Sequence, residues 1–316
     1  MQRFLFVWIP LIFLLTACGV NASPSGTPFG SAQGKPESAI LTSTTFLADI
    51  TRNIAGERLS VVSLLPIGAD PHSYQPTPRD AASIADSKLL IINGAEYEHF
   101  LEALLENAGG ERDVIEASAG ILPERSDGVD EGQETDTESE HGVDPHMWLD
   151  PNNVIVYVEN IREALTHLDP DGAEIYRSNA EAYTAELNDL DAWIVEQVSQ
   201  IPQEKRLLIT NHESLRYFAE QYGFTIGGTV LESFSSDASP SAGQLARLID
   251  QIKLSGAPAI FLDASDNESL AKQIADETGV RVVTGLHLES LTDGPPAATY
   301  IDMMENNVTL IVDALH

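Results

Sequence analysis

Four short stretches of the chain place an imidazole or a carboxylate where a metal ion could be gripped. Gly68-Ala69-Asp70-Pro71-His72-Ser73-Tyr74 is followed by Thr77, Pro78 and Asp80, which read as N-cap, first helical residue and N3 of a helix. His72 therefore sits in a loop between a strand ending near Leu65 and that helix. Asp144-Pro145-His146-Met147-Trp148-Leu149-Asp150-Pro151 repeats the Asp-Pro-His element and again leads into a helix after a proline. In the third stretch, Leu207 to Phe218, His212 directly follows an apolar run. The fourth, Gly285-Leu286-His287-Leu288-Glu289-Ser290-Leu291, offers both His287 and Glu289 after the last apolar run.

Three neutral imidazoles and one carboxylate make a closed donor set of borderline softness, which suits zinc at distances of about 2.0–2.2 Å. Catalytic zinc keeps a position for water, so a fourth protein ligand points to carriage of the ion. A single histidine is more often an ordinary loop or core residue. Here the histidines share one position type, the carboxyl end of a strand, where open α/β sheets bind ligands. Glu213, beside His212, reads as a carboxylate favoured by a helix N-terminus and not as a general base.

The elements that must position these groups are legible as short apolar runs alternating with helical periodicity, the pattern of βαβ units. Strands are predicted at Ile40 to Thr44, Leu59 to Leu65, Lys88 to Asn93 and Arg112 to Ile115. In the second half they are predicted at Arg206 to Thr210, Phe224 to Thr229, Ala259 to Asp263 and Val280 to Thr284. The fold class is α/β, with two lobes that each hold a four-stranded, mainly parallel sheet flanked by helices. Between them, 152–200 is purely helical in period, and Pro170 should split it. The second helix, 171–199, would run roughly 40 Å at ~1.5 Å per residue and join the lobes rigidly. The expected lobes are 39–170 and 200–316.

At the start, Met1-Gln2-Arg3 and the apolar run Phe4 to Leu15 read as a secretion signal, too short to span a bilayer as a mature helix. The signal is placed at 1–17. Leu15-Thr16-Ala17-Cys18-Gly19 is the arrangement of a lipoprotein cleavage site, so Cys18 is expected to carry lipid. An ordinary signal peptide with an incidental thiol is the alternative. Cys18 is the chain's single cysteine, which excludes an intramolecular disulfide and a thiolate metal site. Residues 18–38, rich in Ser, Gly, Pro and Ala, suit a flexible tether. Glu124 to His141 is an acidic segment without apolar periodicity, expected to be a disordered loop. The net charge of −32, from 49 acidic and 17 basic residues, argues against a nucleic-acid partner.

Asp70 to Pro78, Asp144 to Pro151 and Thr210 to Phe218 together resemble the signature segments of the zinc/manganese-binding solute-binding proteins of ABC importers. Asn93-Gly94-Ala95-Glu96, Ser239-Pro240-Ser241-Ala242 and Thr299 to Met304 extend the resemblance over nearly the whole chain from residue 40. It implies two α/β lobes joined by a rigid helix, with a metal held in the cleft between them. It also implies a non-enzymatic, monomeric receptor on the extracytoplasmic face, lipid-anchored and delivering its ion to a membrane permease.

By motif, His72, His146 and His212 fall on the first three ligand positions. The fourth, usually an aspartate, is occupied by Glu289, with His287 as its substitute. Manganese-specific relatives commonly carry a carboxylate where this chain has His212, which favours Zn2+ over Mn2+, with iron also compatible. Relatives often carry a histidine-rich acidic insertion in the place of 124–141. Here only His141 could supply nitrogen, so a solvated insertion is expected rather than a metal-gathering one. The competing functions are a secreted metallohydrolase using Glu213 or Glu289 as base, and an adhesin or sensor on the same scaffold. Handover requires ligands from both lobes, so that a slight separation releases the ion.

Overall fold

Short, largely aliphatic runs build two sheets of the same design. The computed structural model describes residues 40–122, 143–231, 233–236, 240–266 and 268–316. In the first sheet β1 (Ile40–Thr42), β2 (Val61–Ser63), β3 (Leu89–Ile92) and β4 (Asp113–Glu116) run parallel in the order β2-β1-β3-β4. In the second, β5 (Leu207–Thr210), β6 (Thr225–Thr229), β7 (Ala259–Asp263) and β8 (Arg281–Leu286) run parallel in the order β6-β5-β7-β8. All eight expected strands are present, with ends shifted by a few residues.

Parallel neighbours need crossovers. These are α1 (Thr45–Ala55), α2 (Pro78–Asp86) and α3 (Glu102–Asn107) in the first lobe, and α6 (Arg216–Tyr222), α7 (Ala242–Ser255) and α8 (Glu268–Thr278) in the second. Each sheet reverses its order of addition between its first and third strands. The carboxyl ends of β1 and β3, and of β5 and β7, therefore flank the crevices where such folds place ligands.

Between the sheets lie α4 (Pro151–Leu168) and α5 (Ala173–Ser199), separated by a 3-10 turn at Pro170–Gly172, and α9 (Tyr300–Leu315) closes the chain. Pro170 breaks the helix as expected, because its ring cannot occupy a helix interior. The 27-residue α5 packs on α1 and α4 of the first lobe and on α6 and α9 of the second.

Strand alternation sorts the core. Ile40, Leu89, Ile91, Leu208, Ala259 and Phe261 face inward and join α1, α4, α5 and α9 in one apolar cluster shared by both lobes. Their neighbours Leu41 and Leu90, and Ile209, Ile260 and Leu262, face the outer helices in two separate clusters. A core common to both lobes opposes wide opening, because a large hinge motion would return its apolar surface to water. Ser38–His316 accordingly form one compact unit. Among the described residues no helix is long and apolar enough to cross a membrane. The signal, Cys18, the tether and the acidic insertion with His141 lie outside the described residues.

Candidate metal centre

The two Asp-Pro-His elements fold alike because an aspartate side chain readily captures the backbone N–H two residues on. Asp70 Oδ1 accepts from the His72 N–H at 2.9 Å, and Asp144 Oδ1 accepts from the His146 N–H at 3.0 Å. The spare carboxylate capacity is then used differently. Asp144 Oδ1 also lies 2.8 Å from His146 Nδ1. In the neutral ring this fixes the proton on Nδ1 and leaves Nε2 as the donor facing inward. Asp70 Oδ2 instead accepts from Ser236 Oγ of the second lobe at 2.5 Å, which ties the His72 loop across the cleft.

His212 follows β5 and is held by Thr210, whose hydroxyl donates to the His212 carbonyl at 2.7 Å. Glu289 arrives on the chain leaving β8. The Leu288 N–H donates to Asp263, and the Leu288 carbonyl accepts from Trp148 Nε1 at 2.8 Å. Ser290 Oγ accepts from the Gly68 N–H at 2.8 Å, and the Leu291 N–H donates to Thr45 Oγ1 at 2.9 Å. The segment carrying Glu289 is thus stitched to the opposite lobe on both sides of the carboxylate.

These anchors bring the side chains to one point. Glu289 Oε1 lies 3.1 Å from His146 Nε2, 3.2 Å from His212 Nε2 and 3.7 Å from His72 Nε2. One donor atom from each of the four residues falls within 4.8 Å of all the others. His146, His212 and Glu289 are buried, and the His72 side chain is 6% exposed. His72 Nε2 is itself buried and has no hydrogen-bond partner, since 3.7 Å is too long for one. Converging neutral nitrogens and a carboxylate oxygen at this spacing fit a small divalent cation.

His287, the alternative fourth donor, is outside this group. Asn307 on α9 accepts from the His287 N–H at 2.7 Å and donates to the His287 carbonyl at 2.7 Å, which fixes that residue away from the cluster. Glu213 forms a long ion pair with Arg216 at 3.8 Å and is likewise not among the four.

Sequence reasoning missed Tyr97. Its hydroxyl donates to Glu289 Oε2, so the two carboxylate oxygens have different surroundings. Tyr97 is delivered by a turn in which Gly94, Ala95 and Glu96 all have left-handed backbones, at φ 88°, 54° and 60°. For the two non-glycine residues this costs on the order of 1–2 kcal/mol each. Buried Glu98 braces the turn by accepting from the Ser43 hydroxyl at 2.7 Å, the Asn93 N–H at 2.6 Å and the Gly94 N–H at 3.2 Å. Asn93 adds a bond to the Pro145 carbonyl at 2.9 Å, tying this turn to the His146 loop. The one available signal was the Asn93-Gly94 pair just past a strand.

Burial disfavours charge on His146, but the Glu289 carboxylate and the Asp144 hydrogen bond outweigh it and raise the ring to about 9. Burial likewise opposes ionisation of Glu289, yet the charge and hydrogen bonds of the histidines hold it well below its ordinary value. Without metal the centre therefore keeps a proton on His146 at neutral pH. A histidine raised in the folded state contributes stability that is complete below its unfolded value near 6.5 and is lost as pH rises through about 9. Glu289 works in the opposite sense, losing its contribution as pH falls below the ordinary carboxylate range. Urea midpoints of metal-free protein should consequently decline from pH 6.5 to 9. The decline should be absent in His146→Gln, which keeps a polar side chain without the titration.

Comparison with known proteins places this chain among metal-binding transport proteins. Residues 40–314 match the family model described as zinc-uptake complex component A, periplasmic. The manganese-binding lipoprotein MntA of Halalkalibacterium halodurans is 37% identical over 318 residues, covering 100% of this chain and 99% of that protein. The manganese-bound periplasmic metal-binding protein of Candidatus Liberibacter asiaticus superposes with a TM-score of 0.76 at 30% identity, covering 88% of this chain and all of that one. The periplasmic zinc-binding protein TroA of Treponema pallidum gives a TM-score of 0.78 at 26% identity, covering 88% and 99%.

Proposed function

The chain belongs to the family of the periplasmic component A of zinc-uptake complexes, and on that premise we propose that it captures a divalent transition metal outside the cytoplasm and delivers it to the permease of an ABC importer. The observation that carries this reading is the convergence of His72, His146, His212 and Glu289 to within 4.8 Å from two different lobes. Its place in the cell would follow from a signal at 1–17, lipid on Cys18 and a tether over 18–38, a reading supported by the MntA relative being named a lipoprotein.

The chemistry favours zinc over manganese. Three nitrogens and one oxygen match a tetrahedral zinc site, while manganese prefers oxygen-rich, octahedral sets. The relatives divide on this point: one is named for zinc, one for manganese, and a third, a periplasmic metal-binding protein, has manganese bound in its structure. The ion would displace the proton held on His146 and be enclosed by Glu289. Release would follow a small shift of one lobe, because His72 and His146 are carried by the first and His212 by the second, while Glu289, on the chain leaving β8, is bonded to the first through its neighbours. A hydrolytic reading fits less well: Glu289 Oε1 faces all three imidazoles as a fourth donor, where a hydrolase would keep a position open for water.

Titrating metal-stripped protein with zinc against a chromophoric chelator should give one tight site per chain, and a stoichiometry near zero would refute the proposal. Asp144→Asn should weaken zinc by about 10–100-fold, the usual cost of removing a carboxylate that orients a ligating histidine. Its competition isotherm would show this as a rightward shift at unchanged stoichiometry.

A further inference from the structure

We propose that Tyr97 sets the metal preference of the centre by holding Glu289 as a one-oxygen ligand. The inference rests on the reading of the four converging residues as metal ligands, and it concerns which ion they prefer.

Glu289 Oε1 points at the three imidazole nitrogens, whereas Oε2 accepts the Tyr97 hydroxyl. The hydroxyl cannot easily withdraw. Tyr97 is 2% exposed, its ring lies edge-on to Trp148 at 4.9 Å and to His72 at 5.5 Å, and its backbone follows the braced left-handed turn. Glu289 cannot easily rotate either, because Leu288, Ser290 and Leu291 are bonded on both sides of it. The protein thus offers three nitrogens and one oxygen, a count of four that suits tetrahedral zinc. With Oε2 released, a carboxylate can chelate through both oxygens. The set then becomes three nitrogens and two oxygens, closer to what manganese accepts. In this account the tyrosine acts on the ion through the carboxylate, as a positioning residue.

The test is the ratio of manganese to zinc dissociation constants, measured by competition in the full chain and in Tyr97→Phe, which keeps the ring and removes only the oxygen. The ratio should fall by about 10-fold or more, in the range typical of changes next to a ligand. Cobalt(II) bound to the variant should lose the intense visible bands of a four-coordinate ion. Glu289→Asp, whose shorter side chain withdraws from the hydroxyl, should move the ratio the same way and guards against a folding defect in the first variant. Equal weakening of both metals with an unchanged cobalt spectrum would reduce Tyr97 to a structural role and overturn the inference, leaving the transport reading intact. Wild-type chain that binds neither metal would overturn both.

Discussion

His146→Ala is expected to lower zinc affinity by about 10^2.5–10^5-fold. A closed zinc site of four ligands is worth roughly 10–16 kcal/mol, so each ligand carries about 2.5–4 kcal/mol. His146 does more than donate Nε2, since its ring also satisfies Asp144 and lies against Glu289. Alanine would strand both buried carboxylates, adding about 1–3 kcal/mol, and each 1.4 kcal/mol is tenfold. His287→Ala, one side chain removed from a residue pinned by Asn307, should leave affinity within about 2-fold. Competition titrations of the two variants side by side separate a ligand from a neighbour. Equal losses would mean that the centre has been assigned to the wrong histidine.

Trp148→Ala should destabilise the metal-free protein by about 3–5 kcal/mol, the range for emptying a fully buried indole. Trp148 has no exposed surface, stacks on Phe46 at 4.5 Å and donates Nε1 to the Leu288 carbonyl at 2.8 Å. It is therefore both core and the support of the segment that carries Glu289. Urea unfolding should show the loss as a lower midpoint with an unchanged slope. Trp148→Phe should recover part of the packing but not the hydrogen bond, so its stability should improve more than its zinc affinity. A variant as stable as the wild type would contradict the role given to the shared core.

The sheets were legible because parallel strands buried on both faces read as uninterrupted aliphatic runs. Their ends were less so. Ser43 and Thr44, expected to extend β1, leave it to serve local polar bonds: Ser43 donates to Glu98, and Thr44 caps α1 by accepting from the Leu47 N–H. The three histidines were legible from their place after strands and from the repeated Asp-Pro-His element. The preference for Glu289 over His287 came from the family resemblance alone, because both follow the last strand two residues apart. In the structure Glu289 joins the cluster and His287 is held outside it by Asn307, twenty residues on, which periodicity assigns only to a helix. Tyr97 escaped notice for a related reason. Its position depends on left-handed backbone at Ala95 and Glu96, residue types that do not announce it, and on a brace from Glu98 back to Ser43. Long-range polar contacts of this kind leave no pattern in a single sequence.

On this reading one ion is held by three imidazoles and one carboxylate drawn from both lobes. X-ray absorption at the zinc edge of protein loaded with one equivalent tests it most directly. The ion should be surrounded by three nitrogens and one oxygen at about 2.0–2.1 Å, with multiple-scattering features of three imidazoles that fall to two in His212→Ala. A shell dominated by oxygen, or one unaltered by that substitution, would contradict it.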